Sequence, residues 1–187
     1  MMRTIEVDKI GSSTKPAVLE HTVRALDSID SPRAGDVVVV RALSESVTYG
    51  NLELPSGRLA KINKDDVLLG VLGRRRALKG FVGDVPETIS VGDSLSLLNM
   101  GGVIGVCSGH HSSLSDAIEL EVLGAVCDEL GFVVNIGDNG LMPADELKPS
   151  APIILVAGSC MNSGKTVAAT ELIKQAHRTG LKVAGAK

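Results

Sequence analysis

The sequence predicts a mixed architecture: an antiparallel β-barrel or sandwich over residues 1–140, followed over 153–187 by the first β–α–β step of an incomplete α/β domain. Three observations predict it. Between Asp36 and Ile136 short apolar runs recur at close spacing, each bounded by Gly, Asp, Asn, Ser or Pro, with no amphipathic helical stretch between them. Residues 141–152 hold three prolines within ten positions, which keeps the backbone extended and marks a linker. Beyond it come an apolar pentapeptide, a loop of small residues and a helical period, in that order.

Taken in order, residues 1–33 form a mixed N-terminal segment. Thr4 to Val7 reads as a short edge strand and Gly11 to Pro16 as a loop. Val18 to Ile29 fits a helical face through Val18, Leu19, Val23, Leu26 and Ile29, yet Thr22 to Leu26 also pairs as a strand, and strand or irregular structure is preferred. A turn over 31–36 leads into the β-rich region. Its expected strands are 37–43, 47–54, 58–62, 67–72, 78–82, 95–98, 103–106, 118–126 and 132–136. Gly-Asp pairs at 35–36, 83–84, 92–93 and 137–138 read as turns, since glycine reaches positive φ and aspartate bonds back to the turn backbone.

Composition limits what this chain does. Its 187 residues are 44% hydrophobic and 22% charged, as in an ordinary globular chain. With no Trp, one Tyr and two Phe, its core must rest on Val, Leu, Ile and Ala. A net charge of −3 disfavours a nucleic-acid surface, which needs excess Lys and Arg. Cys107, Cys127 and Cys160 are odd in number and irregular in spacing, which favours free thiols in a reducing cytoplasm. The first ten residues lack the apolar stretch of a signal peptide, and no run approaches the roughly 20 apolar residues of a membrane span.

Chemistry concentrates near the C-terminal end. Ile153 to Ala157 reads as a strand, Gly158-Ser-Cys-Met-Asn-Ser-Gly-Lys-Thr166 as a phosphate loop and the residues from Lys165 to Thr179 as a helix, closed by Gly180. Leu181 to Ala184 would be the next strand. Polyphosphate oxygens demand inward-facing backbone N–H groups at close range, which only small residues permit. Gly158, Ser159, Cys160, Met161, Asn162, Ser163 and Gly164 form that cradle, and the helix start at Lys165, Thr166 and Val167 adds the positive end of a dipole. Lys165 is the candidate catalytic cation on the β- and γ-phosphates, and the Thr166 hydroxyl the candidate ligand of Mg2+. Ala169, Leu172, Ile173 and Ala176 fall on one face, expected to be buried. The common spelling puts glycine six residues before the lysine; here Ser159 stands there and Gly158 lies seven before, so the loop is one residue longer. The alternative is a glycine-rich turn that happens to contain Lys-Thr.

Gly-x5-Gly-Lys-Thr after an apolar strand resembles the loop of dethiobiotin synthetase and its relatives in the SIMIBI class of P-loop proteins. The stretch from Gly158 to Thr166 is also similar to that of a prokaryotic group related to the GTP-binding protein of molybdopterin-guanine dinucleotide synthesis, whose members place a β-rich region ahead of the loop. The resemblance covers about the last 35 residues. It implies ATP or GTP with Mg2+ as ligand, held through Lys165 and Thr166. Because only seven residues follow Gly180, the expectation is an NTPase domain cut off after its first β–α–β step, which binds nucleotide poorly and does not turn it over.

Three function classes follow: the N-terminal part of an NTPase or phosphoryl-transfer or ligase-type enzyme, a nucleotide-controlled protein-binding module or chaperone-like GTPase, and a nucleic-acid binder with an incidental loop. The negative charge and scarce aromatics count against the last. The β-rich domain would hold an unidentified small-molecule or protein partner, and a homodimer surface would favour the second class. Arg74-Arg75-Arg76 with Lys79 offers a phosphate grip, but lacks a stacking platform and reads better as a solvated basic turn. Cys107-Ser-Gly-His110-His111 offers zinc ligands, but without ligand spacing reads better as a polar loop. Cys160 inside the phosphate loop is a candidate redox-sensitive thiol, and reads better as a small residue that the loop tolerates.

Overall fold

A computed structural model describes residues 2–17, 20–146, 148–160 and 163–186. The chain divides into two compact units, Met1–Leu141 and Met142–Lys187. Described residues of the first unit form thirteen strands: β1 Met2–Glu6, β2 Lys9–Ile10, β3 Thr22–Leu26, β4 Ser28–Ile29, β5 Val37–Ala42, β6 Asn51–Glu53, β7 Leu59–Lys61, β8 Val67–Leu72, β9 Phe81–Asp84, β10 Ile89–Ser90, β11 Ser94–Leu97, β12 Val103–His110 and β13 Glu119–Val126. Nine of them share one sheet, while β4–β10 and β6–β7 make two small ladders.

Within the large sheet pairing runs in a circuit, β5 to β8, β12, β11, β13 and back to β5. The sheet as a whole does not close into a barrel, because β1, β2 and β9 leave it as edges. The all-antiparallel barrel or sandwich is thus corrected to a large mixed sheet: β2–β8 and β8–β12 are parallel. Each parallel ladder is only two residues long, and pairing between such distant stretches leaves no local signal in a sequence.

Alternation on β5 builds two cores. Val38, Val40 and Ala42 enter one cluster with Leu68, Leu72, Leu95, Leu97, Ile104, Leu120 and Val122. Val37 and Val39 point the other way, into a second cluster with Leu69, Val71, Val7, Ile10 and Val23. The N-terminal segment therefore covers the outer face of β5 and β8. On β13 a bulge between Val122 and Gly124 inserts one residue, so Leu120 and Val122 before it and Ala125 after it face the same core.

Several strand boundaries move. Only Asn51–Glu53 of the 47–54 run is a strand; Val47 is fully exposed and Tyr49 turns the chain with φ 54°. The 78–82 strand shifts to β9, leaving Leu78 exposed, and β10 stands outside every expected strand. Residues 132–136 make only isolated bridges before a 3-10 turn at Ile136–Asn139. Another such turn, Ser12–Thr14, lies in the expected 11–16 loop. Val18 and Leu19 lie outside the described residues.

A buried polar knot ties the turn before β5 to the C-terminal stretch of the first unit. Asp36 is 2% and Asn135 8% exposed. Asn135 Nδ2 donates to Asp36 Oδ1 (2.7 Å) and to the Ala34 carbonyl (3.1 Å), and the Arg33 N–H donates to Asp36 Oδ2 (2.7 Å). Gly35 has φ 94°, and a Cβ there would stand 2.6 Å from Asn135 Oδ1. Gly57 shares the left-handed backbone (φ 84°) but has open space.

The second unit holds one helix among its described residues, α1 Lys165–Arg178. Gly180, with φ 84°, ends it, its N–H bonding the His177 carbonyl while the Leu181 N–H reaches Ala176. The expected strands 153–157 and 181–184 do not form: neither has a ladder partner, and Ile153, Ile154, Leu155, Leu181 and Val183 are exposed. The helix face is likewise not buried, with Leu172 48% and Ile173 38% exposed.

Comparing Gly35→Ala with Gly57→Ala separates backbone strain from collision. Chemical denaturation should show Gly57→Ala costing about 1 kcal/mol, and Gly35→Ala clearly more, because it also disrupts a satisfied buried network.

Candidate functional site

The loop ahead of α1 curls around its lysine. Gly164 caps the helix with φ 85°, a left-handed conformation that glycine adopts without strain. Lys165, the first helical residue, turns its side chain back: Nζ donates to the Cys160 carbonyl and to Ser163 Oγ (3.0 Å). Gly158 lies so close to Ser163 Oγ and to the Lys165 stem that a Cβ would collide with both. Cys160 and Ser163 thus hold the ammonium group, while Gly158 packs against the lysine's stem.

The helix end itself is electropositive. The first-turn N–H groups of any α-helix lack intrahelical partners. Here no side chain caps them among the described residues, and the first turn holds no acidic residue. Thr166 and Val167 are exposed on this turn, and Ser159 and Cys160 are exposed on the loop. Met161 and Asn162, two of the expected cradle residues, lie outside the described residues.

The first unit contains a second polar region. Cys107, expected at the start of a polar loop, instead belongs to the long strand β12, which continues through a bulge at Cys107–Gly109 to His110. A cleft of about 410 Å³ opens there, lined by Ser94, Ser96, Cys107, Ser108, His110, Asp116 and Glu119 among others. His110 Nε2 faces Asp116 Oδ1 at 3.2 Å, and Ser94 donates to Glu119 (2.9 Å). Among the described residues no group of three or more His, Cys, Asp or Glu side chains is placed to hold a metal ion.

The arginine run is more than a solvated turn. Arg75 bonds the Leu98 carbonyl and the Tyr49 hydroxyl (3.0 Å), and its guanidinium lies 4.9 Å from the Tyr49 ring centre. Arg76 Nη2 donates to both carboxylate oxygens of Asp84 (2.8 and 3.0 Å), and its Nη1 donates to the Gly83 carbonyl (2.9 Å). Arg74 is the most exposed of the three. The packing role of Arg75 has no sequence signal, because it depends on a tyrosine 26 residues away.

Comparison with protein-family models, curated proteins and solved structures found no match to this chain. No helix among the described residues is long and apolar enough to cross a membrane.

All three cysteines are free, with Cys160 exposed, Cys107 half-buried and Cys127 buried. Burial pushes the Cys127 thiol above its ordinary range, so it holds less of the reactive thiolate. Alkylation by iodoacetamide at neutral pH, mapped by mass spectrometry, should label Cys160 first, Cys107 next and Cys127 only on denaturation.

Proposed function

We propose that residues 158–167 bind the polyphosphate of ATP or GTP together with Mg2+, and that the activity served is that of an NTPase or phosphoryl-transfer enzyme. The single observation supporting this most directly is the Lys165 ammonium folded back over its own loop at the start of α1. In this reading the lysine exchanges two neutral acceptors, a carbonyl and a hydroxyl, for charged phosphate oxygens, and the first-turn N–H groups take further oxygens.

The donor set fits a magnesium nucleotide. A hydroxyl next to the lysine, exposed on the first turn, is a hard oxygen ligand of the kind Mg2+ takes alongside phosphate oxygens and water. When bound, the ion would supply charge neutralisation at the phosphates. The proposed site then rests on the loop and helix of residues 158–178 alone, with the β unit as a separate partner-binding or substrate-binding module.

Titration of the full chain with ATP and GTP, with and without Mg2+, tests the reading. Lys165→Ala should weaken binding by roughly 10- to 100-fold, the loss expected for hydrogen bonds to a charged group. Thr166→Ala should remove the magnesium dependence. Equal affinity for wild type and Lys165→Ala, with helicity unchanged by circular dichroism, rules the assignment out, as does absence of binding by the wild type.

A further inference from the structure

Asn139 and Gly140 stand near the end of the first unit, at the exit of the 3-10 turn Ile136–Asn139. Six asparagines occur in the chain, and this one alone precedes a glycine. Asparagine is chemically labile because its side-chain carbonyl is open to attack by the main-chain nitrogen of the next residue, and a side chain on that residue stands in the way. Glycine has none.

The turn is held firmly at its start and weakly at its end. Upstream, Asn135 Oδ1 accepts the Gly137 N–H (2.8 Å), and the Ile136 N–H donates to the Gly35 carbonyl (2.9 Å) beside the buried Asp36 and Asn135. Downstream, the Gly140 N–H donates to the Gly137 carbonyl at 3.2 Å. Asn139 and Gly140 are both exposed, and among the described residues no hydrogen bond engages the Asn139 side chain. Breaking one exposed hydrogen bond therefore frees the nitrogen to reach that side chain.

The other described asparagines are shielded. Asn135 is 8% exposed, its Nδ2 is committed to Asp36 and Ala34, and the nitrogen after it belongs to the β-branched Ile136. Asn99 Oδ1 accepts the Val103 N–H (3.1 Å), and Asn51 is paired in the β6–β7 ladder. Asn63 is exposed like Asn139, but Lys64 follows it. Asn162 lies outside the described residues.

We propose that Asn139 is a site of spontaneous deamidation, with water as the co-reactant. The Gly140 nitrogen bonds to Asn139 Cγ while its proton passes through solvent to the side-chain amide, which leaves as ammonia. Water then opens the cyclic succinimide. Addition at the former side-chain carbonyl gives aspartate, and addition at the main-chain carbonyl gives isoaspartate, with an extra carbon in the main chain. No oxidant, reductant or second protein is required. Either product adds a negative charge beside Asp138, and isoaspartate also lengthens the backbone just ahead of the proline-rich linker.

Incubating the full chain in mildly alkaline buffer, native and unfolded in urea, and mapping its peptides by mass spectrometry tests the site. One exposed hydrogen bond retards attack by only about two- to tenfold, so native conversion at Asn139 should lie within that factor of the unfolded rate. Asn135 should convert only in urea. Gly140→Ala keeps a backbone that suits alanine (φ −64°, ψ 149°) and should slow conversion in both states, the urea arm reading the chemistry free of any change in fold. Native Asn139 that stays intact while the unfolded chain converts, native conversion of Asn63 ahead of Asn139, or an unchanged rate in Gly140→Ala overturns the assignment.

Discussion

Strands β5 and β8 are walled on both faces, and this double burial governs the first unit. Val37 through Val40 are 0% exposed, and Leu68, Leu69, Val71 and Leu72 are 3% or less. Backbone polar groups in such strands cannot turn to water, so each must be paired within the protein. That requirement explains the mixed topology. β8 is flanked by β5 and β12 in the large sheet, with β2 laid parallel to its first half. The N-terminal segment becomes part of the core for the same reason, since without Val7, Ile10 and Val23 the second cluster would be open on one side. Continuous valine runs mark strands buried twice, as alternating runs mark strands buried once.

Local signals account for most of what the sequence discloses. The 67–72 strand is found with its bounds intact, and 37–43, 58–62, 95–98 and 118–126 need shifts of only one residue at either end, because apolar runs between turn residues are local. β12 runs four residues past its expected end because Cys107 to His110 is polar and half-exposed, with no period to read. Asp36 and Asn135 could not be matched from sequence, since a buried hydrogen bond across 99 residues has no local trace. On α1 the period correctly indicates a helix, but a period shows which residues share a face and not whether anything lies against it. The loop before it is legible through glycine, lysine and threonine, while the return of Lys165 onto Cys160 and Ser163 is not.

Scarcity of aromatic residues makes their placement informative. Of three aromatic side chains, Tyr49 and Phe81 stand in one ladder with Arg75 at one end and His110 at the other. Phe81 is fully buried, whereas Tyr49 sits in a left-handed turn that costs a residue of its size backbone strain. Arg75 offsets that strain by holding the tyrosine through its hydroxyl and its ring face together. The ladder thereby couples the 44–50 loop to the cleft side of β12, and it is why Arg75 is not interchangeable with lysine: a point cation lacks the planar fork that also reaches the Leu98 carbonyl.

The lysine at the start of α1 poses the complementary problem, a cation resting on neutral acceptors. A carbonyl and a hydroxyl satisfy its protons but not its charge, and the helix end beside it adds about half an elementary charge of the same sign. No acidic side chain stands in the first turn to compensate. Like charge gathered at one point favours an anion more strongly than either source alone, since both act on the same oxygens. On the proposed reading, this region would respond to ligand charge and not to base, so the loop itself would carry no preference between ATP and GTP.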